Sequence, residues 1–323
     1  MDSKKDDNWE RNLIEKLAQS ALTEQKRKRR WGIFFKLLGF GYLGVILYSS
    51  LIGFKTSQAI DVGPHVARVE LTGEIGAKTQ ANADQINASL RDAFEDSNAV
   101  GVILEINSPG GSPVQAGQIN DEIGRLRKKY PKKQLIAVVD DICASGAYYV
   151  AAAADKIYVD KASLVGSIGV IMNGFGFTDA MQKLGIERRM ITAGENKGFL
   201  DPFSKEVPYQ IEFAKQMVAQ IHQQFIDVVK KGRGDRLKSD PELFSGLVWT
   251  GEKSIELGLA DATGSVGSVA RDVFKTDKVV DYTYQESFAE RVAKTVGVEF
   301  GRAIGSSFMA GLFQTMNDQT VVR

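Results

Sequence analysis

The 323 residues, 43% of them apolar, suffice for a sizeable core in one large or two ordinary domains and place the chain among folded, enzyme-sized proteins. Forty-one basic residues against forty acidic ones leave a formal charge of +1, so no global field draws nucleic acid or acidic substrates to it. The lone cysteine, Cys143, excludes an internal disulfide and a thiolate metal cluster, no metal or cofactor is expected, and His65 and His222 are the only histidines.

Met1 to Arg30 is polar and closes on the run Lys26-Arg27-Lys28-Arg29-Arg30. Leu37 to Phe54 then offers 18 residues without a charge, roughly 27 Å as a helix, close to the thickness of a hydrocarbon core. Residues 31–55 therefore read as a single transmembrane anchor, with Trp31 and Tyr48 near its two interfaces and Lys36 able to snorkel. A cleaved signal peptide is the rival reading, with Ser57-Gln58-Ala59 as a cleavage site, but thirty residues make a long basic leader. The basic run lies before the span and only Lys55 follows closely. The expectation is a cytoplasmic N-terminus at the cytoplasmic membrane and an extracytoplasmic domain on the periplasmic side, over 56–284.

Within that domain Val66 to Leu71 alternates as a strand, Asn82 to Glu95 has helical spacing, and Val100 to Ile106 is a continuous apolar strand. Pro113 to Tyr130 is an amphipathic helix with a basic end, and Leu135 to Val139 is the next buried strand. An alanine-rich helix begins at Ser145, followed by a strand at Ile157 to Val159. Strands at Val165 to Met172 and Arg189 to Ile191 continue the pattern around a helix near Thr178 to Leu184. Pro208 to Lys231 is a long helix punctuated by Pro208 and Gly232; a short helix spans Thr250 to Gly258 and a last strand Val279 to Tyr284. Alternating short strands and helices predict an α/β fold built on a parallel sheet. Residues 285–323 form a C-terminal extension, in which Phe288 to Phe313 is one amphipathic helix weakened by four glycines.

Two stretches stand out for chemistry. In Asp141 to Ala154 a hydroxyl, Ser145, sits among small residues where a strand turns into a helix. Such a turn exposes a nucleophile beside unpaired N–H groups, and it is equally the signature of a small-residue helix packed on a sheet. In Ser108-Pro109-Gly110-Gly111-Ser112 paired glycines at a strand end let a backbone N–H approach a ligand, as an oxyanion hole requires; a plain turn is the competing reading, and a phosphate loop lacks its Lys. Ends of neighbouring parallel strands lie side by side, so Gly111 and Ser145 are expected to face one cleft.

A serine nucleophile needs a base. His65 precedes the first strand, and His222 lies mid-helix among Gln220, Gln223 and Gln224, where a solvated or hydrogen-bonded histidine is the ordinary outcome. A lysine is the alternative. A free amine titrates near 10.4, so a base working near neutrality needs a shift of roughly three units, about 4 kcal/mol, from burial. Lys197, between Gly194 and Gly198 and followed by Phe199, Leu200 and Phe203, fits a loop folding over the cleft and excluding water. Ser167 is a possible partner orienting its amine, or simply a small residue in a strand.

SPGGS, DICASGAYYVAAAAD, SLVGSIGV, GENKGFLDPF and VWTG followed by GLAD occur in an order that resembles the signal peptide peptidase A, or protease IV, family of membrane-anchored serine peptidases. The resemblance implies a ClpP/crotonase-like fold and a Ser-Lys dyad, with Ser145 as nucleophile, Lys197 as general base and Ser167 orienting it. By the same resemblance the backbone N–H groups of Gly111 and Gly146 are expected to line the oxyanion hole. It further implies the short form of the family, a homo-oligomeric ring in which a neighbouring subunit supplies the lysine, and hydrophobic peptides such as cleaved signal peptides as substrates at the lipid bilayer. Asn196, where a tyrosine is common, and Leu247, where an arginine is, depart from the pattern. A crotonase-like acyl-CoA enzyme and a non-catalytic membrane scaffold are the rival functions; no adenine or phosphate site is visible for the first.

Overall fold

A computed structural model describes residues 6–55 and 63–285, with side chains for 9, 11–45 and 63–285. The chain divides into two units, 62–285 and 1–61 with 286–323. In the latter, α1 (Asp6–Lys55) is one helix, on which Trp31, Phe34 and Phe35 contact one another at ring separations of 5.6–5.7 Å. Among the described residues no helix is long and apolar enough to cross a membrane. The expected span Leu37 to Phe54 has the side chains of 46–54 outside those residues, as does the whole helix expected over Phe288 to Phe313.

The second unit is a mixed α/β fold with a mostly parallel sheet. Its elements are β1 (His65–Thr72), α2 (Ala83–Glu95), β2 (Ala99–Ser108), α3 (Pro113–Lys129), β3 (Leu135–Ala144), α4 (Gly146–Ala151), β4 (Lys156–Val159), β5 (Leu164–Gly166), α5 (Thr178–Lys183), α6 (Pro208–Arg233), β6 (Val248–Thr250), α7 (Gly251–Glu256), β7 (Ala262–Thr263), α8 (Val266–Asp272) and β8 (Val279–Asp281). The sheet order is β6-β5-β3-β2-β1-β8, with β4 and β7 branching from β3; only β5 and β6 pair antiparallel. Alternate residues of β1 to β3 point to opposite faces. Val69, Leu104 and Ala137 join the core under α2 and α3, while Val66, Ile103, Ile136 and Val138 pack with Val269 and Ala270 of α8. Burial on both faces accounts for the continuous apolar runs, each fully buried Leu or Ile contributing about 1.5–3 kcal/mol. Asn82 caps α2 by accepting from the Gln85 N–H, and Ser112 caps α3 ahead of Pro113.

β3 does not stop at Val139 as its apolar run predicts. Ile106 pairs with Val139 and Ser108 with Cys143, so between these pairs one residue of β2, Asn107, faces three of β3, 140–142. The bulge turns Asp140 and Asp141 outward, and the buried Ser163 hydroxyl donates to the Asp140 carbonyl inside it. Beyond the bulge β3 leaves β4 and pairs with β5, which re-aims the end of the strand toward Ser145.

Other expectations are corrected. The strand read over Val165 to Met172 ends at Gly166, because Ser167 takes φ 50°, incompatible with an extended chain. No strand forms at Arg189 to Ile191. The alanine-rich helix is only six residues long, with 152–154 outside it. The long helix runs through Gly232 and ends at Gly234, whose φ of 55° makes it the terminating residue. β6 and α8 were not anticipated.

Candidate active site

The loop after β2 is fixed from below by Ile75, which the sequence did not mark: its N–H donates to the Gly110 carbonyl and its carbonyl accepts from Ser112, both at 2.8 Å. This parallel bridge is closed enough that a Cβ on Gly111, at φ 144°, would fall 2.1 Å from the Ile75 oxygen. Gly110, at φ 98°, is equally confined: a Cβ there would lie 2.7 Å from the Gly146 nitrogen and 2.8 Å from Ser145 Cβ. A Cβ on Gly146 would in turn be 3.2 Å from the Gly111 nitrogen. Only glycines bring these backbones together.

Ser145 stands at the turn from β3 into α4 with φ 52° and ψ −124°, a conformation side-chain-bearing residues rarely adopt. Its N–H donates to the Gly166 carbonyl at 2.8 Å and its carbonyl accepts from Tyr149 at 3.0 Å. The hydroxyl is half-buried and has no hydrogen-bond partner among the described residues. Nor do the N–H groups of Gly111 and Gly146 find an acceptor there. One hydroxyl and two unspent donors thus lie close together at the ends of β2 and β3, as stabilising charge that develops on an oxygen requires.

The elbow is held from behind. Tyr148 is fully buried and its hydroxyl donates to the Leu259 carbonyl at 2.8 Å, while Asn120 and Arg127 of α3 donate to the carbonyls of Tyr149 and Ala153. Arg233, 2% exposed, reaches Asp261 through two hydrogen bonds of 2.8 and 3.0 Å and the Gly258 carbonyl at 2.8 Å. Burial alone would raise the Asp261 carboxyl; the bonds from Arg233 and the Ile157 N–H outweigh it and hold it below the ordinary carboxylate range. Burial pushes the Cys143 thiol up, which keeps this neighbour of Ser145 un-ionised and unreactive.

The sequence-predicted residues separate into two sets. Gly111, Ser145 and Gly146 come together, and Ser167 follows the glycine that holds Ser145, its own N–H donating to Leu247 at 2.7 Å. Lys197 is exposed, and no hydrogen bond or ion pair of its ammonium, to these residues or to others, occurs among the described residues. The rings that were to exclude water from the cleft pack elsewhere, Phe203 stacking on Phe177 at 5.4 Å and Phe199 meeting Phe213 edge-on at 5.8 Å. Around them the surface is strongly apolar, with Ile171 82%, Phe175 79% and Ile191 100% exposed.

The model of peptidase family S49 matches residues 127–281, a stretch holding Ser145, Ser167 and Lys197. A protein of Enterococcus faecium provisionally named signal peptide peptidase SppA is 30% identical over 217 residues, 67% of this chain and 62% of that one. The chain belongs to this peptidase family, that of signal peptide peptidase A. Protease 4 of Haemophilus influenzae is 31% identical to the S49 chain over 224 residues, 67% of this chain and 35% of that protein. A protein of Brucella abortus named Na(+)/H(+) antiporter NhaA is 43% identical over 209 residues, 65% of this chain. The match takes up 28% of that protein, so its name describes a much larger chain. The S49 chain spans less than two thirds of each of these three relatives.

Proposed function

We propose that the chain is a serine endopeptidase with a Ser145–Lys197 dyad, built on a ClpP/crotonase-like domain over 56–284. In this reading Leu37 to Phe54 anchors it to the cytoplasmic membrane, and it cleaves short hydrophobic peptides on the outer side. The observation that carries the reading is that the backbones of Gly111 and Gly146, whose N–H groups have no acceptor among the described residues, pack against each other beside Ser145, whose φ is 52° and whose hydroxyl has no partner there. The neutral Lys197 amine takes the Ser145 Oγ proton as Oγ bonds to the peptide carbonyl carbon, and the two N–H groups receive the oxyanion. Collapse breaks the C–N bond, the amine leaving with the proton from Lys197. Water, deprotonated by the same lysine, then hydrolyses the ester and returns Ser145.

A lysine base requires cover from water. Within one chain Lys197 is exposed beside the apolar surface of 171–213, which supports a ring in which that surface packs on a neighbouring copy and delivers Lys197 to its Ser145. The test is complementation. Ser145→Ala and Lys197→Ala chains are each expected to be inactive on a hydrophobic peptide and to regain activity when assembled together. Hydrolysis at wild-type rate by both single variants refutes the dyad; a dead mixture places both groups in one chain.

A further inference from the structure

The proposed dyad leaves His222 without a part, yet among the described residues its side chain makes one hydrogen bond, and that bond lies at the site. His222 Nε2 of α6 is 3.0 Å from the carbonyl oxygen of Ile168. A carbonyl only accepts, so Nε2 carries the proton. Ile168 is fully buried and directly follows Ser167. Ser167 is held at its own N–H by the Leu247 carbonyl at 2.7 Å, and its carbonyl accepts from Gly169 at 2.9 Å. On the other side, the Gly166 carbonyl accepts the Ser145 N–H. Ser167 therefore lies between one peptide group that holds the nucleophile and another that His222 holds.

Ser167 needs this restraint. Its φ of 50° is unfavourable for a residue with a side chain and persists only where the surroundings over-determine it. Leu247, just before β6, fixes one side of the turn, with the Trp249 ring set close against Gly166, where a Cβ would lie 3.1 Å from Trp249 Cδ1. His222 is the side-chain donor on the other side. It also ties the turn to the helix into which the Lys197 segment leads, where Gln210 accepts from the Leu200 N–H at 3.1 Å.

We infer that His222 is a positioning residue for the peptidase reaction: its Nε2–H holds the Ile168 carbonyl so that Ser167 presents its hydroxyl, free of other partners among the described residues, to the lysine base. The inference rests on the Ser145–Lys197 reading. A displacement of about 1 Å at a reacting group costs up to a hundred-fold in rate, so loss of the bond acts on kcat.

The test measures peptide hydrolysis by the full chain carrying His222→Leu, His222→Gln or Ser145→Ala, with thermal midpoints for each. His222→Leu is expected to lower kcat at least about ten-fold with KM unchanged. His222→Gln, whose amide donates from nearly the same place, is expected to recover most of that loss. Should His222→Leu fail to fold, His222→Asn replaces it, being polar but too short to reach the carbonyl. A folded Leu or Asn variant with wild-type kcat overturns the inference, as does a folded Gln variant as impaired as they are. Full activity of Ser145→Ala overturns the dyad itself, so the two failures are told apart.

Discussion

Asp261→Ala removes the anion from a pair that is nearly sealed. The Arg233 side chain is 1% exposed and that of Asp261 17%, and the carboxylate accepts two Arg233 donors and the Ile157 N–H at 2.7 Å. Without it the guanidinium keeps only the Gly258 carbonyl, and the amide of Ile157 in β4 is left unpaired inside the fold. Breaking a buried pair on one side costs about 3–5 kcal/mol, and the orphaned amide places the loss toward the upper end. For a unit of this size each kcal/mol lowers the melting midpoint by about 2–4 °C, giving a fall of roughly 6–20 °C. Urea unfolding read by circular dichroism and tryptophan fluorescence measures the loss in kcal/mol and a thermal scan the fall in midpoint, with the paired change Arg233→Met, Asp261→Leu as control. That double variant removes both charges and is expected to lose far less than either single change. The Asp261 carboxyl lies below its unfolded value, so its contribution is complete above the ordinary aspartate range near 3.9 and is lost as pH falls through the folded value. A loss under about 1 kcal/mol for Asp261→Ala at neutral pH would refute the account.

Gly232→Ala tests a helix contact: a Cβ there would fall 2.0 Å from the Ala152 carbonyl, so α6 must move away from the end of α4, and a drop of about 1–3 kcal/mol in urea unfolding is expected despite alanine's better helix propensity. Glu122 ties α2 to α3. Hydrogen bonds from Arg125, then from Arg91, hold its carboxyl down at about 2 against the effect of burial. Glu122→Gln is therefore expected to be less stable than the parent above about pH 4.3 and to converge with it as pH falls toward 2, measured as denaturation midpoints across that range.

Much of the sheet was legible because its physics is local. Val102 to Leu104 and Leu135 to Val139 are apolar at every step because β2 and β3 are covered on both faces there, and Asn82, Ser112 and Pro113 announce helix starts by their own chemistry. The approach of Gly111 to Ser145 followed from adjacent strand ends. What escaped depends on partners distant in sequence. The β3 bulge is set by its register with β2, and the role of Asp261 by an arginine 28 residues earlier. Apolarity also misled at Val165 to Met172 and Arg189 to Ile191, where Ile171 and Ile191 point away from this chain's core and no strand forms. Gly232 reads as a helix stop by composition, and only the crossing of Ala152 shows that it is a contact.

The same contrast divides the site. Ser145 and Ser167 occupy positive φ, each at a cost of about 1–2 kcal/mol, and both are enclosed by restraints belonging to the α/β unit. Tyr148 ties the start of α4 to the Leu259 carbonyl, Asn120 and Arg127 hold the carbonyls of Tyr149 and Ala153 at its end, and His222 holds that of Ile168, next to Ser167. The clamp of Arg233 on Asp261 and Gly258 fixes the turn that Tyr148 leans on. Strain of that size can be held there because the surrounding bonds form with the fold and leave no nearby relaxed alternative. The Lys197 side chain has none of these restraints, although its segment is tied to α6 by the Leu200 N–H to Gln210 and by ring contacts of its own. In the proposed mechanism a base that works only when desolvated gains from such an arrangement, since the lysine would stay solvated and inactive in a lone chain and meet Ser145 only where another surface covers 171–213. Under the proposed mechanism the rigid half of the site comes with folding and the base with assembly, so activity should rise with the assembled fraction while the stability of the α/β unit does not.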